Sequence, residues 1–178
     1  MPINFPNILT IIRILITPLF VILLLRNERE FALLTFTVAA ISDGLDGFIA
    51  RVFNQRTELG AYLDPIADKL LMTAAFVSLG VLKIIPSWLT VIVISRDVLI
   101  VLGLALFTMT EIKVEIKPSI ISKNTTVAQL STIIWVLLDL EFAIVDTVSI
   151  SFYWITACLT ITSGLHYMYT GINRLQSD

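Results

Sequence analysis

Apolar runs broken by short charged segments divide the chain into six stretches, roughly 8–25, 31–52, 59–81, 87–109, 125–140 and 147–170. Most are close to the ~20 residues a helix needs to cross a hydrocarbon layer about 30 Å thick. The fifth is the weakest, being short and polar at its start. The connections at 26–30, 52–59, 81–87, 110–124 and 140–146 carry most of the charge, and no internal repeat stands out. The pattern predicts an all-α integral membrane protein, one bundle of six transmembrane helices forming a single domain over 1–178.

Lys and Arg set the expected orientation. The connections on the N-terminal side hold Arg51, Arg56, Lys113, Lys117, Lys123 and Arg174, against Arg26, Arg29 and Lys83 on the other. Excess positive charge stays inside, so both termini are expected in the cytoplasm. Composition agrees with this reading. The 178 residues are 57% hydrophobic and 15% charged, whereas a soluble domain is about 45–50% apolar and about 25% charged. A net charge of −2 says little about partners when most of the surface meets lipid, and no nucleic-acid partner is expected. The single cysteine, Cys158, excludes an internal disulfide framework. The start of the chain lacks a basic segment and a cleavage site, so the first span is expected to act as its own insertion signal. With no targeting segment ahead of it, a bacterial inner membrane is the expected location.

Aspartates interrupt this apolar background in one ordered pattern: Asp43-x-x-Asp46-Gly47-x-x-Ala50-Arg51, eight residues, then Gly60-x-x-x-Asp64-x-x-x-Asp68. One Asp at the centre of a membrane helix costs about 2.5–3.5 kcal/mol on insertion scales. Four in one region call for compensation, and the stretch has no matching set of Lys and Arg. Bound cations provide it. Carboxylates without Cys, and with the lone His166 far off in sequence, favour hard ions such as Mg²⁺ or Mn²⁺ over zinc. Asp43, Asp46, Gly47 and Ala50 fall on one stripe of a helix, as do Gly60, Asp64 and Asp68. The two stripes lie in the cytoplasmic halves of consecutive antiparallel spans, where they are expected to face each other. Pro65 is expected to bend the third span.

Two divalent ions about 3.5–4 Å apart clamp the attacking and leaving oxygens of a phosphoryl displacement, and they need three or four carboxylates on rigid elements. Gly47, Ala50 and Gly60 allow close approach of a ligand to the backbone, although small residues in membrane helices also serve as packing devices. Arg51 offers a planar fork to phosphate oxygens. Together these residues suggest a diphosphate substrate.

At these residues the chain resembles the CDP-alcohol phosphotransferase family, whose signature D-x-x-D-G-x-x-A-R…G-x-x-x-D-x-x-x-D it matches without a departure. The resemblance extends to the opening Pro6-Asn7-x-Leu9-Thr10-x-x-Arg13. It implies two Mg²⁺ or Mn²⁺ ions held by Asp43, Asp46, Asp64 and Asp68, with Asp68 as the base for an acceptor hydroxyl. It also implies a CDP-linked donor bordered by Gly47, Ala50, Arg51, Gly60, Asn7 and Thr10, with CMP as the leaving product, and a homodimer. A simpler reading has Asn7, Thr10 and Arg13 only capping and anchoring the first span.

The acceptor reading rests on spans four and five. Ser95-Arg96-Asp97 followed by Lys117-Pro118 and Ile121-Ser122-Lys123 resembles the eukaryotic-type cardiolipin synthases within the family. That implies CDP-diacylglycerol as donor and the terminal hydroxyl of phosphatidylglycerol as acceptor, with Arg96 and Lys123 binding the acceptor. The alternative is phosphatidylglycerophosphate synthesis from glycerol 3-phosphate. A phosphomonoester carries more charge and calls for more cations than Arg96 and Lys123 supply. Arg96 could instead simply pair with Asp97. An intramembrane cation transporter is the remote alternative from another class, because buried carboxylates also mark ion pathways.

Overall fold

The computed structural model describes residues 5–52, 58–109, 120–138 and 145–175. Within these, the side chains of 5–7, 45–52, 58–62, 65, 104–109, 145–146, 172 and 174–175 lie outside the description. All regular structure among the described residues is helical: α1 (Phe5–Leu25), α2 (Arg29–Val52), α3 (Glu58–Val81), α4 (Ser87–Met109), α5 (Ile120–Leu137) and α6 (Val145–Leu175). The expected spans and these helices agree to within a few residues. The largest shifts are at α5, which begins at Ile120 rather than near 125 because the polar run Ser122 to Thr126 is helical too, and at α6, which runs on to Leu175. The helix α3 continues through position 65.

Two tight turns share one device. After α1, Asn27 takes a left-handed conformation (φ 61°), Glu28 N–H bonds to the Leu23 carbonyl at 3.0 Å and Asn27 N–H to the Leu24 carbonyl at 2.9 Å. After α3, Lys83 does the same at φ 57°, with Ile84 N–H on Leu79 and Lys83 N–H on Gly80. This pair of bonds uses carbonyls that a helix end would otherwise leave without partners. Asn accepts the left-handed region readily, while Lys occupies it against its preference.

The chain divides into two compact units, Met1–Ile84 with Val136–Asp139, and Ile85–Trp135 with Leu140–Asp178. In the first, α1 packs along both α2 and α3, and among the described residues α2 and α3 have no comparable packing with each other. Phe20 and Phe36 meet with ring centroids 5.5 Å apart, and Ala32 and Ala39 are buried on α2. In the second, α4 packs on α6. A polar seam ties α5 to α6: Thr132 and Thr156 share a 2.7 Å hydroxyl bond, the Thr125 hydroxyl donates to the Leu159 carbonyl, and Gln129 donates to Thr160. Trp135 stacks on Phe152 and donates to Ser149.

Beside an apolar core, several polar side chains are buried while large apolar ones are exposed, unlike a water-soluble bundle. Thr10, Arg13, Arg96, Gln129, Thr132 and Ser163 are buried, while Leu15, Leu34, Val91 and Leu165 are all more than 60% exposed. In lipid, burying Leu between helices gains little, so association relies on close packing and interhelical hydrogen bonds. Among the described residues, two helices are by themselves long and apolar enough to cross a membrane, through Ile8–Leu25 and Thr147–Gly171.

Candidate active site

The first unit places α1 against the aspartate-bearing faces of α2 and α3. Arg13 and Thr10 stand one helical turn apart on α1, 1% and 0% exposed respectively. Arg13 Nη1 forms an ion pair with Asp43 Oδ1 on α2 at 2.5 Å, and the Thr10 hydroxyl donates to Asp64 Oδ1 on α3, also at 2.5 Å. One turn of one helix therefore holds a carboxylate from each of two others. Asp64 lies near enough for its charge to act on Asp43. The Asp43 side chain is 42% exposed although its partner Arg13 is enclosed, so the pair is gripped from inside and open on the other side. Asp68, one turn beyond Asp64 on α3, is half-buried.

Of the other residues singled out in the sequence, Asp46, Gly47, Ala50, Arg51, Gly60 and Asn7 have side chains outside the described residues. Among the described residues, no three His, Cys, Asp or Glu side chains gather closely enough to hold a metal ion. The donor chemistry nevertheless suits hard divalent ions. Asp43 and Asp64 are brought into each other's field from different helices, every candidate ligand is an oxygen, and the α1 contacts take Oδ1 of each.

In the second unit Arg96 is 5% exposed and lies in a polar cluster. Its Nη1 donates to Asp97 at 2.7 Å, and Nη2 donates to Ser122 at 2.9 Å and Ser163 at 3.0 Å. Pairing with Asp97, weighed in the sequence as the simpler role, is what the geometry shows. Arg96 Nε has no hydrogen-bond partner among the described residues. Position 164 has no side chain, and a Cβ there would touch Arg96 Cγ at 3.5 Å. Lys123 is exposed on α5, next in sequence to Ser122.

The model of the CDP-alcohol phosphatidyltransferase family matches residues 3–162, which takes in all of α1 through α5 and part of α6. The chain belongs to the CDP-alcohol phosphatidyltransferase family. Human cardiolipin synthase (CMP-forming) is 33% identical over 98% of this chain, which spans 64% of the human protein's length. The CDP-diacylglycerol--glycerol-3-phosphate 3-phosphatidyltransferase of Escherichia coli K12 is also 33% identical, over 94% of both chains. A probable phosphatidylglycerophosphate synthase of Mycobacterium tuberculosis H37Rv is 38% identical over 53% of this chain and 48% of its own.

Membership in the CDP-alcohol phosphatidyltransferase family and the two apolar helices together support association with a membrane. Sequence reasoning gave Arg13 no part at the aspartates, and the structure pairs it with Asp43. Its signal was present: an Arg inside the most apolar stretch, three positions after a Thr, both on one helix face. Thr10 was expected beside the donor. In the structure its hydroxyl donates to Asp64, one of the four aspartates.

Proposed function

We propose that this protein transfers a phosphatidyl group from CDP-diacylglycerol to the terminal hydroxyl of phosphatidylglycerol, forming cardiolipin and CMP. The observation that carries the transferase reading is the convergence of Asp43 and Asp64 on the α1 face, within the family's aspartate signature. Asp43, Asp46, Asp64 and Asp68 would hold two divalent cations, Mg²⁺ or Mn²⁺, which supply charge neutralisation on the donor's diphosphate. The acceptor oxygen forms a bond to the lipid-bearing β-phosphorus, the bond from that phosphorus to the bridging oxygen breaks, and CMP departs with the electron pair. Asp68 takes the acceptor's hydroxyl proton. Arg51 forks onto diphosphate oxygens, and Gly47, Ala50 and Gly60 leave room for the donor, with Asn7 close by.

The membrane setting completes the proposal. Six helices cross an inner bacterial membrane, both termini and the aspartates are on the cytoplasmic side, and the protein works as a homodimer. Arg96 and Lys123 receive the acceptor's phosphodiester. With Arg96 already neutralised by Asp97, the site is lean in positive charge, which suits a phosphodiester better than a phosphomonoester.

The second reading, phosphatidylglycerophosphate synthesis, is favoured by the full-length match to the Escherichia coli glycerol-3-phosphate enzyme. Purified protein offered radiolabelled CDP-diacylglycerol with phosphatidylglycerol or with glycerol 3-phosphate separates the two. Cardiolipin formed from phosphatidylglycerol alone is the expected result. Phosphatidylglycerophosphate as the main product replaces the first acceptor with the second, and cation flux in liposomes without CMP release favours a transporter.

A further inference from the structure

We propose that Arg13 is an internal counter-ion for the carboxylate site, holding Asp43 in place before a metal arrives and weakening the grip on the metal once it has bound. The inference rests on the metal reading given above and assigns a positioning role to a residue on a helix outside the aspartate signature.

Three observations carry it. Arg13 is 1% exposed, so its charge is enclosed and acts at short range with little screening by water. Its Nη1 meets Asp43 Oδ1, one of the four signature aspartates, while the carboxylate itself is 42% exposed on its other side. Asp64 adds a second negative charge within reach of Asp43. Without Arg13 the neighbouring carboxylates repel one another, and a buried pair that loses one partner leaves the other charge uncompensated. With Arg13 in place, an incoming cation finds Asp43 partly neutralised and meets a fixed positive charge behind it. Thr10 does the same positional work on Asp64 without adding charge. The two α1 residues thus separate two tasks: Thr10 orients, while Arg13 orients and sets affinity.

The direction of the effect follows from linkage. A fixed charge and a metal that share one carboxylate are coupled, and removing the charge tightens the metal by the coupling factor, typically about 5–150-fold. The probe is Mn²⁺ alone, without substrate, on the full chain in detergent micelles, read by Mn²⁺ titration and by the metal-induced shift in Tm. Arg13→Gln is expected to lower Tm without metal, to bind Mn²⁺ about tenfold more tightly than the wild type, and to recover most of the lost Tm when saturated. Arg13→Lys keeps the charge and is expected to bind within about twofold of the wild type, which also tests the proposal if the Gln variant does not fold. A purely structural arginine predicts something else: the Gln variant loses the same Tm with and without Mn²⁺, and its affinity is unchanged or lower. That result, or a Lys variant that behaves like Gln, overturns the counter-ion role while leaving the metal site standing. Failure of the wild type itself to bind Mn²⁺ overturns both.

Discussion

Asp64→Asn lowers the rate of CMP release from CDP-diacylglycerol by about a thousandfold or more, in detergent with excess Mg²⁺ and phosphatidylglycerol. Loss of a single preorganised group that stabilises transition-state charge costs about 10²–10³ in turnover, and a lost metal ligand removes at least that much. The substitution is informative because it is nearly isosteric. The Asn side-chain oxygen still accepts the Thr10 hydroxyl that now donates to Asp64 Oδ1, so α1 and α3 stay joined and Tm without metal is expected to hold. Activity and fold are thereby separated. Radiochemical CMP release together with a melting curve checks both, and a loss smaller than about tenfold with normal folding would remove Asp64 from the metal site. Asp43→Asn is expected to lose activity comparably but also stability, because it removes the carboxylate charge that pairs with the buried Arg13.

Chelation gives the second large effect. Dialysis against EDTA is expected to reduce CMP release to background, and Mg²⁺ or Mn²⁺ to restore it to within about twofold. The donor's diphosphate is anionic and has to approach Asp43, which is paired with Arg13, and Asp64. Two like charges 4 Å apart repel by about 4 kcal/mol at the effective dielectric constant of a protein surface. Several such pairs form when a diphosphate faces a group of carboxylates, which is more than one buried guanidinium can offset. Divalent cations held by the carboxylates would offset those repulsions by attracting both anions. Turnover that persists after complete chelation would mean that arginines alone carry the diphosphate, and the metal account would be wrong.

The sequence foretold helix placement well, since each apolar run had nearly the length of one span and the charged connections marked the ends. It foretold α5 least well. Positions 120–124 looked like part of a connection, yet they are helical and lead into Thr125, Gln129 and Thr132, which repeat at helical spacing and meet Leu159, Thr160 and Thr156 on α6. Polar residues at that spacing in an apolar chain mark a face for another helix, so the signal was there to be found. The aspartate stripes were legible because helical period alone puts each set on one face. What period cannot give is the neighbour of each stripe. The expectation that α2 and α3 simply face each other left no place for α1, which packs along both and reaches one aspartate on each. Arg96 illustrates the same limit. Adjacent residues on a helix do not normally face each other, but the long guanidinium arm reaches back to Asp97 and across to Ser122 and Ser163. Sequence put acceptor binding first and local pairing as the simpler alternative, and the fold shows the pairing.

Counting bound metal tests the central claim most directly. Equilibrium dialysis of the purified protein against Mn²⁺, with elemental analysis of metal per chain, is expected to give about two ions for the wild type. The Asp43→Asn, Asp64→Asn double variant is expected to retain none at the same free concentration. A wild-type protein that binds no more Mn²⁺ than empty micelles, or a double variant that still binds a full complement, would contradict the assignment of these carboxylates to a paired-cation site.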